Sequence, residues 1–326
     1  MNVLVTGGAG YIGSIVTEHL LKQGHTVTVL DNLQQGHREA VLSPAEFVSG
    51  DICDVKTLTQ IFSNIRIDAV MHMAANTLVG HSMTDPKRYF HNNLVGGISL
   101  LDAMLEHNVK KIIFSSTAAV YGEPQNSPIE ENHPKVPINS YGQSKLMFEN
   151  VLDWYRRAYG IECVSFRYFC AAGATELLGE DHSPETHLIP NVLKAALNED
   201  NTLSVFGTDY PTKDGSCIRD FIHVTDVARA HLLALEKAAS LSGNVYNLGN
   251  GEGYSVLEVI KVAEKIVGRN IPVKFAPRRA GDPVTLIASS KRATKELGWN
   301  PEFPELENII ESAWLWLQDH PHGYKQ

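Results

Sequence analysis

Along the first 170 residues, short apolar runs alternate with longer stretches that read as helices. Val3-Leu4-Val5, Val27-Thr28-Val29-Leu30, Glu46 to Ser49, Ala69 to Met73, Lys111 to Ser115 and Cys163 to Arg167 each have the length of a strand and are apolar or β-branched. Such alternation predicts a parallel sheet covered by helices on both faces, with ligands at the carboxyl ends of its strands. The fold class expected is α/β, a doubly wound, Rossmann-like sheet. Beyond Ala171 the pattern breaks into short mixed elements, including the loop Gly207 to Pro211 and the basic pair Arg278-Arg279 after Pro277. That change predicts a second, smaller, mixed α/β lobe for the substrate. The division expected is 1–170 for the first domain and 171–326 mainly for the second. One later apolar strand, Val245 to Leu248, is followed by Gly249-Asn250-Gly251, and the segment near 245–250 is expected to return to the first sheet.

The predicted strand ends collect the residues with chemistry: Gly7, Asp31, Asp51, Ala74 and Ala75, Ser115 to Thr117, and Tyr168 to Cys170. The stretch Gly122 to Asn139, with prolines at 124, 128, 134 and 137, reads as a loop bordering that edge.

A chain of 326 residues suits a two-lobed enzyme with sizeable cores. A net charge of -9 argues against nucleic acid or an anionic membrane as partner. No apolar run is long enough to span a bilayer, and the first residues form a core strand rather than a charged leader, so a cytoplasmic location is expected. Cys53, Cys163, Cys170 and Cys217 lack metal-ligand or redox-pair spacing, and the fourteen histidines form no H-E-x-x-H or similar cluster. No metal is expected.

Between the first two strands runs Thr6-Gly7-Gly8-Ala9-Gly10-Tyr11-Ile12-Gly13. Gly8, Gly10 and Gly13 fit G-x-G-x-x-G, and Gly7, Gly10 and Gly13 fit the wider G-x-x-G-x-x-G. The strand before it and the helix after it, ending near Gly24, are the setting in which backbone amides and a helix N-terminus hold a pyrophosphate. Asp31 closes the second strand, where a carboxylate accepts from ribose hydroxyls and repels a 2′-phosphate, so NAD is expected rather than NADP.

Tyr141-Gly142-Gln143-Ser144-Lys145 opens a helix continuing through Met147, Phe148, Val151, Leu152 and Tyr155. Residues four apart share a helix face, so the phenol and the ammonium point the same way. A tyrosine acting as a base near neutrality needs its pKa lowered by about three units, or about 4 kcal/mol. A lysine charge about 6 Å away at an effective dielectric of about 20 supplies about 3 kcal/mol. Tyr141 is thus the expected acid/base, Lys145 the group that lowers its pKa and holds the nicotinamide ribose, and Thr117 a hydrogen-bonding partner for the reacting oxygen.

On these residues the chain resembles the extended short-chain dehydrogenase/reductase superfamily and, within it, the UDP-hexose 4-epimerases. The similarity also takes in Leu30 to Leu33, Gly50-Asp51-Ile52, Asn92-Asn93, Phe114 to Gly122, Arg167-Tyr168-Phe169, Gly207 to Pro211, Ile218 to Val224, Tyr246 to Gly249 and Ala276 to Asp282. The resemblance implies NAD as cofactor, a UDP-sugar as substrate, and a homodimer formed through a four-helix bundle of the helices around Asn92 to His107 and after Tyr141. It implies inversion at C4 through a transient 4-keto sugar. Gly7, Gly10, Tyr11, Ile12, Gly13, Asp31, Asn32, Ala74, Ala75, Lys145 and Tyr168 would surround the cofactor, with Asp51 and Ile52 at the adenine and Asn93 nearby. Arg219, Arg279 and Asp282 would hold the nucleotide's diphosphate and ribose, and Leu188, Ser204 and Phe206 would line the uracil region. Leu286 would border C2 of the sugar. Three positions depart from the family pattern: Thr117 stands where serine is frequent, Thr77 where lysine is frequent, and Cys170 where an asparagine usually binds the substrate phosphate.

Two other readings stay open at this level. Sugar-nucleotide dehydratases and decarboxylases resemble this chain but carry an acid just after the active-site hydroxyl, where this chain has Ala118. A non-catalytic NAD-binding module is the other reading, although Tyr141 and Lys145 are both present.

Overall fold

Seven parallel strands make the main sheet of the computed structural model, which describes residues 1–198, 201–241, 244–279 and 282–324. They are β1 (Asn2–Thr6), β2 (Thr26–Asp31), β3 (Glu46–Ser49), β4 (Ala69–His72), β5 (Lys111–Thr117), β6 (Glu162–Tyr168) and the strand Val245–Leu248. Their order is Val245–Leu248, β6, β5, β4, β1, β2, β3. The order reverses direction between β1 and β4, where a doubly wound sheet opens its ligand crevice.

The apolar runs are buried on both faces because each face meets its own helical layer. Val3 and Val5 share a core with Ile15, Val16 and Leu20, while Leu4 between them faces Leu58, Leu100 and Met104 on the other side. That split follows from the period of two along a strand.

More of the chain returns to this sheet than the segment near 245–250. The helix Val224–Lys237 packs Val227, Ala228 and Leu232 into the same core as Ile15 and Leu20. Val245–Leu248 then pairs with β6, with Tyr246 opposite Phe166. The remaining lobe is built on the helices Leu188–Leu197, Val256–Val267 and Leu306–Asp319, which share one core. Beside it lie three small sheets, pairing Cys170–Ala172 with Phe221–His223, Leu203–Phe206 with Val273–Ala276, and Ile218–Arg219 with both Tyr254–Ser255 and Thr285–Leu286. Of the Ala276 to Asp282 stretch, residues 280–281 lie outside the described residues. Among the described residues no helix is long and apolar enough to cross a membrane.

Candidate active site

β1 ends at Thr6, and the chain turns at Gly7 with a left-handed φ of 74°. A Cβ at Gly7 would stand 2.5 Å from the Ala74 nitrogen, and one at Gly13 would stand 2.1 Å from the Gly7 carbonyl oxygen. The turn, the helix Tyr11–Lys22 and the end of β4 therefore approach at distances open only to glycine. Gly10 begins that helix without a side-chain cap, which leaves its first N–H groups to a phosphate. The Tyr11 hydroxyl is turned away to the other lobe, where it donates to the Gly173 carbonyl at 2.7 Å, so only its backbone faces the turn.

Asp31 ends β2 facing this turn, accepting from Ala9 N at 3.0 Å and Leu33 N at 2.8 Å. Burial raises its pKa, and the Leu33 and Ala9 amides oppose that shift. Asp51 accepts from Asn32 Nδ2 at 2.8 Å and borders a cleft of about 450 Å³ with Gln34, Asn76 and Arg88. Ile52 is buried in the core behind them. Ala74 and Ala75 follow β4 opposite Gly7, half-buried. Asn93 is a clamp: its Oδ1 accepts from Asn76 N and Asn92 Nδ2, and its Nδ2 donates to the Asn76 carbonyl and to Ser144 Oγ. A cradle that a Cβ would fill, an uncapped helix N-terminus and an acid at the end of β2 fit a dinucleotide such as NAD.

The helix Ser140–Tyr159 starts where Asn139 Oδ1 accepts from Gly142 N at 2.8 Å and stops at Gly160 in the left-handed conformation. It brings Tyr141 to the end of β5, where the Thr117 side chain acts to lower the pKa of the phenol. Lys145, one turn on, is buried, donates to the Ser115 carbonyl at 2.8 Å and lies 4.7 Å from the Phe114 ring centre. The electrostatics differ from the expectation. Burial pushes Tyr141 up to about 12, opposed by the neighbouring Thr117 side chain, and Lys145 is not among the groups that lower it. Burial likewise brings Lys145 down to about 7, with Glu149 resisting. In the protein alone, desolvation outweighs the lysine charge that the spacing suggested.

Sequence reasoning passed over the support beneath this pair. Glu149, one further turn along the helix, accepts from Arg167 Nε at 2.9 Å and Nη2 at 2.5 Å, and from Ser116 Oγ at 2.5 Å. Arg167 Nη1 donates to Tyr121 Oη at 2.8 Å, whose hydroxyl in turn donates to Asn247 Oδ1 at 2.6 Å. The spacing Y-x-x-x-K-x-x-x-E and a lone arginine inside an apolar strand were the available signals. Tyr168 takes part in the same bracing, its hydroxyl lying 2.8 Å from Ser115 Oγ and 2.7 Å from His231 Nε2.

Across the crevice, several residues assigned to the substrate come together. Cys170 pairs in register with Phe221, and burial pushes its thiol up to about 12 against the nearby Arg219 charge. Arg219 donates through Nη1 to the Ile218 and Pro283 carbonyls and through Nη2 to Asp282 Oδ1 at 3.4 Å. Leu286 pairs with Arg219 and packs on the cluster of Ala118, Val120 and Leu146, which places it just beyond the end of β5. The Arg279 guanidinium lies 3.9 Å from the centre of the Phe206 ring, and Phe206 shares a strand with Ser204. Leu188 opens its helix within the same core as Cys170. Thr77 is exposed beyond Asn76.

One cluster contradicts the expectation that the histidines form none. Glu180, His182, Glu185 and His187 converge, with one donor atom from each within 4.8 Å of the others. Burial opposes charge on the imidazoles, yet the two carboxylates hold His182 up to about 9 and His187 up to about 10. The signal in the sequence was the spacing E-x-H-x-x-E-x-H.

Known proteins resemble the chain over nearly its whole length. The NAD dependent epimerase/dehydratase family profile matches residues 3–249. A UDP-glucose 4-epimerase of Halalkalibacterium halodurans is 54% identical over 328 aligned positions, covering 99% of this chain and 98% of the relative. A crystal structure of a UDP-glucose 4-epimerase superimposes with a TM-score of 0.96 at 47% identity, covering all of both chains. The Bifidobacterium longum UDP-glucose 4-epimerase, solved in complex with NAD+ and UDP, superimposes with a TM-score of 0.95 at 40% identity, covering 99% of this chain and 100% of the other.

Proposed function

The chain belongs to the NAD dependent epimerase/dehydratase family, and from that premise we propose how its residues carry out 4-epimerisation of UDP-hexoses. The cofactor is NAD and the activity is that of an isomerase. The observation that carries the assignment of the catalytic group is the pairing of Tyr141 with a buried Lys145, one helical turn on, which is tied to the Ser115 carbonyl on the strand that ends at Thr117. Tyr141 takes the proton of the sugar 4-hydroxyl as C4 becomes a carbonyl, and returns it to the same oxygen after the sugar has turned. NAD, when bound, would supply the hydride acceptor and donor for this chemistry and a positive charge in the site. Thr117 orients the phenol and the reacting oxygen. Lys145, whose bond to the Ser115 carbonyl supports this reading, would hold the nicotinamide ribose. Gly7, Gly10, Tyr11, Ile12 and Gly13 would hold the pyrophosphate, and Asp31 with Asn32 the adenosine ribose. Arg219, Arg279 and Asp282 are the groups for the diphosphate and ribose of the UDP-sugar. A dehydratase would need an acid at position 118, which here is the buried Ala118. Mixing the purified protein with UDP-glucose and following UDP-galactose tests the reading, and no product would sink it.

Two specificity positions follow from the same arrangement. A thiol is a weak hydrogen-bonding group, so Cys170→Asn is expected to tighten UDP-sugar binding by about 0.5 to 1.5 kcal/mol. Calorimetric titration with UDP checks this, and unchanged or weaker binding would mean that the pocket is shaped around the thiol. Leu286 is shorter than a tyrosine, which leaves room at C2, so UDP-N-acetylglucosamine is expected to be turned over. Overpacking costs about 1 to 3 kcal/mol, so Leu286→Tyr should lower that turnover by ten-fold to over a hundred-fold. Equal turnover by parent and variant would remove Leu286 from specificity.

A homodimer is the assembly we propose. Val95, Met147 and Trp154, on the helical segments His91–Glu106 and Ser140–Tyr159, are exposed apolar side chains suited to a four-helix interface.

A further inference from the structure

We propose that Glu180, His182, Glu185 and His187 form a structural site for one divalent cation of the zinc class. The first ground is convergence. His187 Nδ1 lies 2.7 Å from Glu180 Oε1 and 3.0 Å from Glu185 Oε1, and His182 Nδ1 lies 3.2 Å from Glu180 Oε1 and 3.8 Å from Glu185 Oε2. Four ligands about 2.0 to 2.1 Å from a tetrahedral zinc stand about 3.3 to 3.4 Å from one another, so these separations bracket the edges of such a shell.

The second ground is unsatisfied polarity. Glu180 Oε1, His182 Nδ1 and Glu185 Oε2 are buried with no hydrogen-bond partner, and the Glu180 and Glu185 side chains are only 6% and 5% exposed. Among the described residues their only polar neighbours lie within this cluster, at ion-pair distances, so the three are aimed at one point with no group outside the cluster to satisfy them. Glu185 is also oriented from outside, because its Oε1 accepts the backbone N–H groups of Thr186 at 2.8 Å and His187 at 2.9 Å. Its Oε2 is thereby turned inward, as a supported metal ligand would be.

The donor set selects the ion. Two imidazole nitrogens and two carboxylates suit zinc, whereas calcium and magnesium favour shells of oxygen alone. Two carboxylates neutralise a divalent charge, so the filled site is electrically balanced where the two glutamates are buried and His187 reaches the surface. Four protein ligands leave no open position, which makes the role structural. The His182 ring meets the Tyr11 ring edge-on with centroids 6.4 Å apart, and Leu188 follows His187 directly. The ion would therefore pin the 180–187 segment against the start of the first helix.

The test uses full-length protein stripped with a chelator, dialysed, and titrated with zinc chloride. One retained equivalent by elemental analysis is expected, with a rise in Tm of about 5 °C or more under saturating zinc. Cobalt(II) in its place should show the intense visible bands of a tetrahedral ion. Glu185→Gln, which keeps size and shape, should lose both the retained zinc and the rise in Tm, and His182→Asn should do the same. No retained zinc in the parent would overturn the proposal and leave an ion-paired tetrad of protonated imidazoles and carboxylates. Retention by both variants at the parent's level would overturn it equally, by placing the metal elsewhere.

Discussion

Tyr141→Phe is expected to lower the rate of C4 epimerisation by about 10²- to 10⁴-fold while NAD stays bound. The substitution removes one oxygen and leaves the ring, which sits half-buried with its centre 6.5 Å from that of Tyr89 in an edge-on contact. Packing is therefore preserved, and only the proton-transfer group is lost. The glycine cradle and Asp31 are built from other elements, so NAD recovered on denaturing the variant should match the parent. Turnover of UDP-glucose together with NAD content makes the measurement. Full activity would remove Tyr141 from the chemistry, and loss of NAD along with activity would make its role structural.

The largest stability effect is expected at Glu149. The Glu149 and Arg167 side chains are 5% and 3% exposed, so neither can be rescued by water when the other is removed. Glu149→Ala leaves a buried guanidinium without its bidentate partner and Ser116 Oγ without its acceptor. Breaking a buried pair in this way costs about 3 to 5 kcal/mol. Combining Glu149→Leu with Arg167→Met should recover most of that loss, because two apolar side chains of similar volume carry no charge to bury. Urea unfolding compares the three proteins. A loss of less than about 1 kcal/mol in Glu149→Ala would mean that water reaches Arg167. Activity should fall with Glu149 as well, since its carboxylate is what opposes the effect of burial on Lys145.

What the sequence revealed is what local pattern encodes. The glycine turn, Asp31 at a strand end and the Tyr141–Lys145 turn each lie within one element or one connection, and spacing alone locates them. The charge state of Tyr141 was not legible, because it depends on how much protein closes over the phenol, and burial there exceeds the help that a nearby lysine offers. Glu149 in an amphipathic helix reads as a solvent-facing acid until Arg167, on a different strand, is placed beneath it. The Glu180 to His187 cluster was missed for another reason: its spacing matches no regular helix or strand, and only the course of the loop folds the four side chains inward. Asp220 was likewise invisible. Fully buried, it accepts from Asn250 N, Gly251 N and Ala288 N and so ties three distant segments together, with burial holding its carboxyl up to about 7.

The late return of Val245–Leu248 to β6 sets a schedule for synthesis. About 80 residues separate Tyr168 from Val245, and at roughly 5 to 20 residues per second a ribosome needs about 4 to 16 s to deliver the edge strand after its neighbour. Throughout that interval β6 presents a row of unpaired backbone groups beside a forming core, an invitation to pair with another nascent chain. Slow translation between these points would prolong that exposure, so codon choice in the 170–245 stretch bears on the yield of folded enzyme. A fragment ending at residue 170 would carry the same open edge permanently.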